Sequence, residues 1–407
     1  MGNTSPRVYR PYNPRWFNLI LRHTVGFYLK VRYRIRTQGT ELFDTLSPPY
    51  VILPNHVAMI DPLMVASFVP QPVYWIASDS NLRSTVMRNL LRIVGSIPKS
   101  KFIPDVETVH TVVNVIRKRG GVVGIYPEGT ASFDGHTLPL IPSTAKLIKL
   151  LRVPVISVVL RGAYFSMPRW SWFHRRGRIE IHFKQSLSPE EIRQLSVEEI
   201  LSRLEASILH DESQWEATAR VPFFRRALAE NLETVLFQCP HCGDIGSMRS
   251  SGRTFRCTAC GVSYQMDRFY RLRRGGPVGG ELVTIRDLSL QQEKSFPLFL
   301  KQKMERKKAA CLFSDPGVVV LRGRKLRPLS RFRTGRLALF PDRIELRPLS
   351  GGRLVFPLSE VEGEGVFQRN NFEFYHNRIL YQVRFANRSA SALKWLMALR
   401  FLHGLTA

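Results

Sequence analysis

Between residues 50 and 185 the chain alternates two textures. Short β-rich runs, PYVIL, VYWIA, GVVGIYP, VPVISVVL and RIEIHF, are separated by stretches such as VETVHTVVNVIRKRG and STAKLIKLLR, where apolar residues recur every three or four positions. The first kind reads as buried strand and the second as amphipathic helix. Their alternation predicts an α/β domain, a central sheet flanked by helices. Ser188, Pro189 and Glu191 then form an N-cap, first-turn proline and capping-box set, which opens two helices over SPEEIRQLSVEEILSRLEASILHD.

After residue 237 the texture changes to CPHCGDIGSMRSSGRTFRCTACG. Two Cys-x-x-Cys pairs, Cys239 with Cys242 and Cys257 with Cys260, are separated by 14 residues, each followed by Gly. The spacing lets two tight knuckles converge on one tetrahedral ion and predicts a small zinc ribbon. Four thiolates leave no open coordination position, so the zinc is expected to be structural. Cys311 is spare and is expected to be packed rather than reactive.

From about residue 315 the runs VVVL, RLALF, DRIELR, RLVFPL, NFEFY and ILYQVRF alternate polar and apolar residues, and turn-forming Pro341-Asp342, Ser350-Gly351-Gly352 and His376-Asn377 lie between them. A closing helix follows, capped by Ser389 or Ser391, with Ala392, Trp395, Leu396, Leu399 and Leu402 as its stripe and Gly404 as its end. Antiparallel strands followed by one amphipathic helix resemble a PH-like (pleckstrin homology-like) or GRAM-like module. The expected domains are a basic amphipathic segment over 1–40, an α/β domain over 41–230, the ribbon over 231–275 and the β domain over 281–407.

Charge then narrows the partners. Sixty Lys and Arg against 32 Asp and Glu give a net charge of +28, which calls for a polyanionic neighbour: nucleic acid, an anionic membrane surface or phosphorylated substrates. Residues 1–40 carry Arg7, Arg10, Arg15, Arg22, Lys30, Arg32, Arg34 and Arg36 without one Asp or Glu, interleaved with Trp16, Phe17, Leu19, Ile20, Leu21, Phe27, Tyr28 and Leu29. A helix of that composition suits a lipid interface; packing on its own domain is the plainer alternative. No run of 18 apolar residues occurs, so no transmembrane span is expected. The opening MGNTSPRVYR has neither an h-region nor a cleavage site, and Pro6 breaks the myristoylation pattern. A cytoplasmic chain, bound peripherally to the inner face of a membrane, is the expectation.

The candidate chemistry begins in VILPNHVAMIDPLMV, where His56 precedes Asp61 by five positions. On one helix the two would stand about 140° apart. A strand end at Tyr50–Leu53, a loop over Pro54–Ile60 and a helix with Pro62 as its first residue put Asp61 at the N-cap. There its carboxylate would accept a bond from an orphan amide, a role worth about 1 kcal/mol. Alternatively the loop turns the imidazole back to the carboxylate, which would fix the tautomer of a general base. Further on, YPEGT follows another β-rich run and delivers Glu128, Gly129 and Thr130 to the same sheet edge as Asn55 and His56; between them GSIPKSKF supplies Lys99 and Lys101. A base, carboxylates and cations converging at one edge suit acyl transfer onto the hydroxyl of a phosphorylated acceptor.

In this order the blocks NHVAMIDP, GSIPKSK, YPEGT and VPVISVVL resemble those of the glycerolipid acyltransferases typified by 1-acyl-sn-glycerol-3-phosphate acyltransferase, over roughly residues 15–220. The resemblance implies an αβ acyltransferase fold at a cytoplasmic membrane face and an acyl-CoA or acyl-carrier-protein thioester as donor. It also implies a lysophospholipid acceptor, with 1-acyl-glycerol-3-phosphate going to phosphatidic acid. His56 would be the catalytic base and Asp61 its orienting partner. Asn55, Lys99, Lys101, Glu128, Gly129 and Thr130 would contact substrate, and backbone amides near the helix start after Asp61 would stabilise an oxyanion. Two positions depart from the family pattern: Ala131 stands where a basic residue is common after EGT, and Ser157 where a second proline is frequent. Arg161, Arg169, Arg175 and Arg176 are candidates to compensate for the first. Against this stand another lysophospholipid as acceptor, a zinc-ribbon nucleic-acid-binding protein using Arg253, Phe255, Arg256, Tyr264, Phe269 and Tyr270, and an inactive lipid adaptor.

Overall fold

Tyr50–Pro54 is buried along its whole length, as a strand at the centre of a parallel sheet must be. The computed structural model describes residues 11–99, 105–275, 280–306, 311–324, 327–387 and 389–406. They fall into two units, 1–130 with 137–160 and 179–210, and 131–136 with 161–178 and 211–407.

The first unit holds β1 (Arg36–Gln38), β2 (Tyr50–Pro54), β3 (Val73–Ser78), β4 (Ile97–Lys99), β5 (Val122–Gly124), β6 (Val155–Arg161) and β7 (Glu180–Leu187). Their order is β1-β7-β6-β2-β5-β3-β4. β2 runs parallel to both neighbours, with Ile52 opposite Gly124 on one side and Ile156 on the other. β3 is parallel to β5 and to β4, so β2, β3, β4 and β5 end at one edge. The chain works outward from β2 to β4, returns to insert β5, then crosses β2 to place β6. That reversal makes the β2–β5 end a topological switch point, the position at which open α/β sheets bind ligands.

The helix Val106–Arg119 shows how sequence builds this layer. The Asp105 carboxylate accepts from Thr108 N at 3.1 Å as N-cap, Arg117, Lys118 and Arg119 crowd the last turn, and Gly120 ends the helix at φ +56°. Its buried face, Val112, Val115 and Ile116, joins Val51, Leu53, Val123, Ile148 and Leu204 in one apolar cluster. Each such side chain contributes about 1.5–3 kcal/mol. The capping box expected at Ser188 with Glu191 is present, and a second forms at Ser196 with Glu199.

Residues 15–32 form a helical stretch with a π-helical turn, Arg22–Gly26, in its middle. It buries Asn18, Gly26 and Leu29 and leaves Trp16, Leu19, Ile20, Phe27, Tyr28 and Val31 more than half exposed. Gly26 permits the close approach, since a Cβ there would lie 2.8 Å from Ser67 Oγ. Among the described residues no helix is long and apolar enough to cross a membrane.

The second unit contains two antiparallel sheets. One has five strands, β8 (Met248–Ser251), β9 (Thr254–Cys257), β10 (Ser263–Met266), β11 (Arg271–Arg274) and β12 (Leu282–Thr284), in the order β12-β11-β10-β9-β8. The other comprises β13 (Phe313–Gly323), β14 (Ser330–Leu339), β15 (Arg343–Pro348), β16 (Leu354–Pro357), β17 (Val361–Phe367), β18 (Asn371–His376) and β19 (Ile379–Phe385). The helix Ala392–Thr406 closes it: Trp395 is fully buried, edge-on to Phe313, and its indole N–H donates to Asp315 Oδ2 at 2.7 Å. Ser391 is the cap, accepting from Lys394 N at 3.0 Å. Gly404 does not end this helix, which runs on to Thr406 because that glycine keeps a right-handed conformation. Cys311 is exposed rather than packed, with its thiol donating to Phe313 O at 3.2 Å. A 22-residue helix, Ile285–Arg306, precedes the second sheet and was not foreseen.

Candidate active site

At the end of β2 the chain is held by side chains rather than by further sheet. Asn55 accepts from Leu160 N at 2.8 Å through Oδ1 and donates to Leu160 O at 3.2 Å through Nδ2, so both ends of its amide are taken by β6 backbone. His56 follows, with its backbone N–H donating to Glu128 Oε1 at 2.6 Å. Its Nδ1 stands 3.0 Å from Asp61 Oδ2. The same oxygen accepts from Val57 N and Ala58 N, both at 2.8 Å. Asp61 therefore opens the helix Asp61–Ala66 without capping it: the carboxylate turns upstream to the loop instead of to its own helix amides.

The chemistry of the pair follows from this geometry. A fully buried carboxylate facing Nδ1 keeps the proton there and leaves Nε2 of the neutral imidazole as the basic nitrogen. The His56 side chain is 21% exposed, so its base is within reach of a ligand. The ring packs at a tilt against Tyr126 at 4.4 Å between centroids, and Tyr126 stacks on Trp75 at 5.2 Å. Gly124 makes room for this stack, because a Cβ there would come within 2.2 Å of the Trp75 ring. Two buried polar atoms lack partners at this site, Asp61 Oδ1 and Tyr126 Oη. Burial, helped by the nearby Asp61 charge, holds the Tyr126 phenol well above its ordinary pKa, so it stays protonated.

Glu128 is buried, and its second oxygen accepts from Leu138 N at 2.7 Å. Burial pushes its carboxyl up to about 8 against the lowering pull of the two amide bonds. Gly129 closes the turn over 126–129 at φ +70°, donating its N–H to Tyr126 O at 3.2 Å. Thr130 follows directly on that turn. Lys99 ends β4, three strand spacings or about 14 Å from β2. Burial lowers its pKa, and Asp105 opposes that shift. Lys101 lies outside the described residues. The amides at the start of the helix Asp61–Ala66 are occupied: Asp61 N bonds Ala58 O, and Leu63 N and Met64 N bond Ile60 O. Of the arginines proposed to compensate for Ala131, Arg169 donates to Ala131 O and Gln368 O, and Arg175 is fully buried with a bond to Leu228 O.

Sequence reasoning missed Tyr126, whose position at the end of an apolar run looked like core, and the Glu128 tie to Leu138. The glutamate's place shortly after the end of β5 was the available signal.

The second cluster is made of Cys239, Cys242, Cys257 and Cys260, whose four Sγ atoms lie within 4.8 Å of one another. Cys239 and Cys260 are 3.7 Å apart, and Cys242 and Cys257 3.8 Å. Zn–S bonds of about 2.3 Å in a tetrahedron put sulfurs about 3.8 Å apart, so the donor set fits such an ion.

Residues 34–161 match the family model described as Acyltransferase. The chain is 23% identical over 172 residues to the chloroplastic 1-acyl-sn-glycerol-3-phosphate acyltransferase BAT2 of Brassica napus, covering 42% of this chain and 49% of that protein. It is 24% identical over 138 residues to a 1-acyl-sn-glycerol-3-phosphate acyltransferase of Cocos nucifera, covering 32% and 42%. The chain thus spans about half the length of the curated relatives it matches. The crystal structure of the 1-acyl-sn-glycerophosphate acyltransferase PlsC from Thermotoga maritima overlaps 47% of this chain and 80% of its own, at TM-score 0.39 and 21% identity. The matched segment runs from just before β1 to the last residue of β6 and contains His56, Asp61, Tyr126 and Glu128, so the whole site lies in the part of the chain that is similar to the acyltransferase family.

Proposed function

We propose that the chain transfers an acyl group from an acyl-CoA or acyl-carrier-protein thioester to a lysophospholipid hydroxyl, with 1-acyl-glycerol-3-phosphate as the acceptor and phosphatidic acid as the product. The observation that carries this reading is the 3.0 Å His56–Asp61 contact at the β2–β5 switch point, inside the segment that matches the family. His56 Nε2 takes the proton of the acceptor hydroxyl as its oxygen attacks the thioester carbonyl. The C–S bond then breaks, and the departing thiolate takes that proton from the imidazolium. Asp61 holds the ring and stabilises its charge. Lys99 and Lys101 pair with the acceptor phosphate, Gly129 and Thr130 border the glycerol, and Asn55 and Glu128 act by fixing the loop. Among the loop amides, those of His56, Val57 and Ala58 serve carboxylates, leaving those of Met59 and Ile60 to face the oxyanion.

In the second unit the four cysteines hold a structural zinc. The outward apolar face of residues 15–32 rests on an anionic membrane, and the C-terminal sheet with its closing helix is a PH-like module. The test is turnover of one long-chain acyl thioester against a panel of lysolipids by purified protein. Activity is expected with lysophosphatidate and expected to vanish in His56→Ala with folding intact. Full activity in that variant overturns the mechanism, and a silent wild type across the panel overturns the function.

A further inference from the structure

The helix Thr85–Ile93 connects β3 to β4. A crossover helix ordinarily packs its apolar stripe on the sheet it crosses. This one buries none of its described side chains: Val86 is 80% exposed, Leu90 48%, Met87 43% and Ile93 39%. At 100° per residue Val86, Leu90 and Ile93 fall within about 60° of one another, while Arg88 and Arg92 lie on the opposite side. The helix is therefore strongly amphipathic, with its apolar side turned to solvent.

Two further observations identify what covers it. Residues 80–104 contain Arg83, Arg88, Arg92, Lys99 and Lys101 and no Asp or Glu. The segment that leads into the first helical stretch is tied to this one, since Tyr12 N–H donates to Arg92 O at 3.0 Å. Two helices that both present apolar stripes to solvent, in segments carrying only positive charge, are thus joined end to end. Two copies of such a surface would repel each other, whereas an anionic bilayer offers hydrocarbon for the stripe and phosphates for the arginines.

We propose that the helix Thr85–Ile93 is a membrane-docking element that seats Val86, Leu90 and Ile93 in the acyl region of an anionic bilayer, with Arg88 and Arg92 at its headgroups. The membrane is then gripped at a point inside the α/β domain, on the segment that leads to Lys99. This extends the membrane reading given above for residues 15–32 but is measured without it and without turnover.

Flotation of the full chain with vesicles of phosphatidylcholine, with and without phosphatidylglycerol, tests it. Wild type floats with the anionic vesicles, and the double variant Leu90→Glu, Ile93→Glu partitions about a hundredfold less. Its circular dichroism and thermal midpoint stay unchanged because both positions are exposed. Arg88→Gln with Arg92→Gln weakens binding to anionic vesicles and leaves binding to neutral ones as it was. Flotation of the glutamate variant at the wild-type level overturns the proposal. So does a wild type that does not float but forms a dimer that this variant breaks, as read by light scattering. A chain that floats as expected yet transfers no acyl group refutes the catalytic reading and leaves this one standing.

Discussion

Replacing Asp61 by Asn tests the centre of the site with the smallest change in shape. Oδ2 serves His56 Nδ1 at 3.0 Å and two backbone amides at 2.8 Å, and the side chain has no exposed surface. When the imidazole gains a proton, the new charge sits about 4 Å from the carboxylate. At an effective dielectric of about 20 their attraction is about 4 kcal/mol. If that stabilisation exists only once the proton has moved, its loss lowers kcat about a thousandfold, at about 1.4 kcal/mol per decade, with little change in KM. Asparagine has a second cost. With its oxygen facing the three donors, its NH2 fills the place of Oδ1, buried and without an acceptor, which lowers folding stability by about 1–3 kcal/mol. Thiol release from an acyl thioester, followed beside thermal unfolding, reads both effects. A kcat within tenfold of wild type, in a protein of unchanged stability, would refute the assignment of charge stabilisation to Asp61.

Three other outcomes are expected. Burial raises Glu128 to about 8, so the folded chain holds this proton more tightly than the unfolded one, whose value is near 4.5. The stabilisation is then complete below pH 4.5 and lost as pH rises to 8, and wild type should lose stability relative to Glu128→Gln across that window by up to about 1.4 kcal/mol per pH unit; parallel pH curves for the two proteins would contradict this. Tyr126→Phe keeps the stack under His56 and removes a buried hydroxyl that has no partner, so thermal unfolding should show a stability gain of about 1 kcal/mol; a loss would mean that the hydroxyl is bonded. One zinc per chain is expected by elemental analysis and should be absent from Cys257→Ser; wild-type protein without metal, prepared free of chelators, would remove the zinc reading.

The α/β layer was legible because its central strands β2, β5 and β6 are buried on both faces and helices such as Val106–Arg119 carry ordinary stripes and caps, so periodicity and local signals agreed. The closing helix was legible from its stripe, but not where it stops, because a glycine ends a helix only if it turns left-handed and Gly404 does not. Ile285–Arg306 escaped notice because Pro297 lies inside it and its buried residues, among them Ser289 and Gln292, are not all apolar. At the site, spacing placed His56 and Asp61 near each other but could not say where the carboxylate points. That depends on two loop amides, which no side-chain pattern records. Asn55 and Glu128 looked like ligand-binding groups because they are polar residues after strand ends. Their hydrogen bonds go to Leu160, His56 and Leu138, and the first two are partners distant in sequence that only the assembled sheet supplies.

The Glu128 carboxylate joins an amide 72 positions upstream to another 10 positions downstream. The bond to His56 cannot form before β5 has been inserted beside β2, so the loop that bears His56 lacks this tie in a chain whose sheet is half built. If His56 is the base proposed above, incomplete or partly opened molecules are expected to be inert rather than slow and unselective. On the acyl-transfer reading proposed above, that dependence confines the chemistry to finished molecules, and specific activity becomes a direct count of correctly assembled protein.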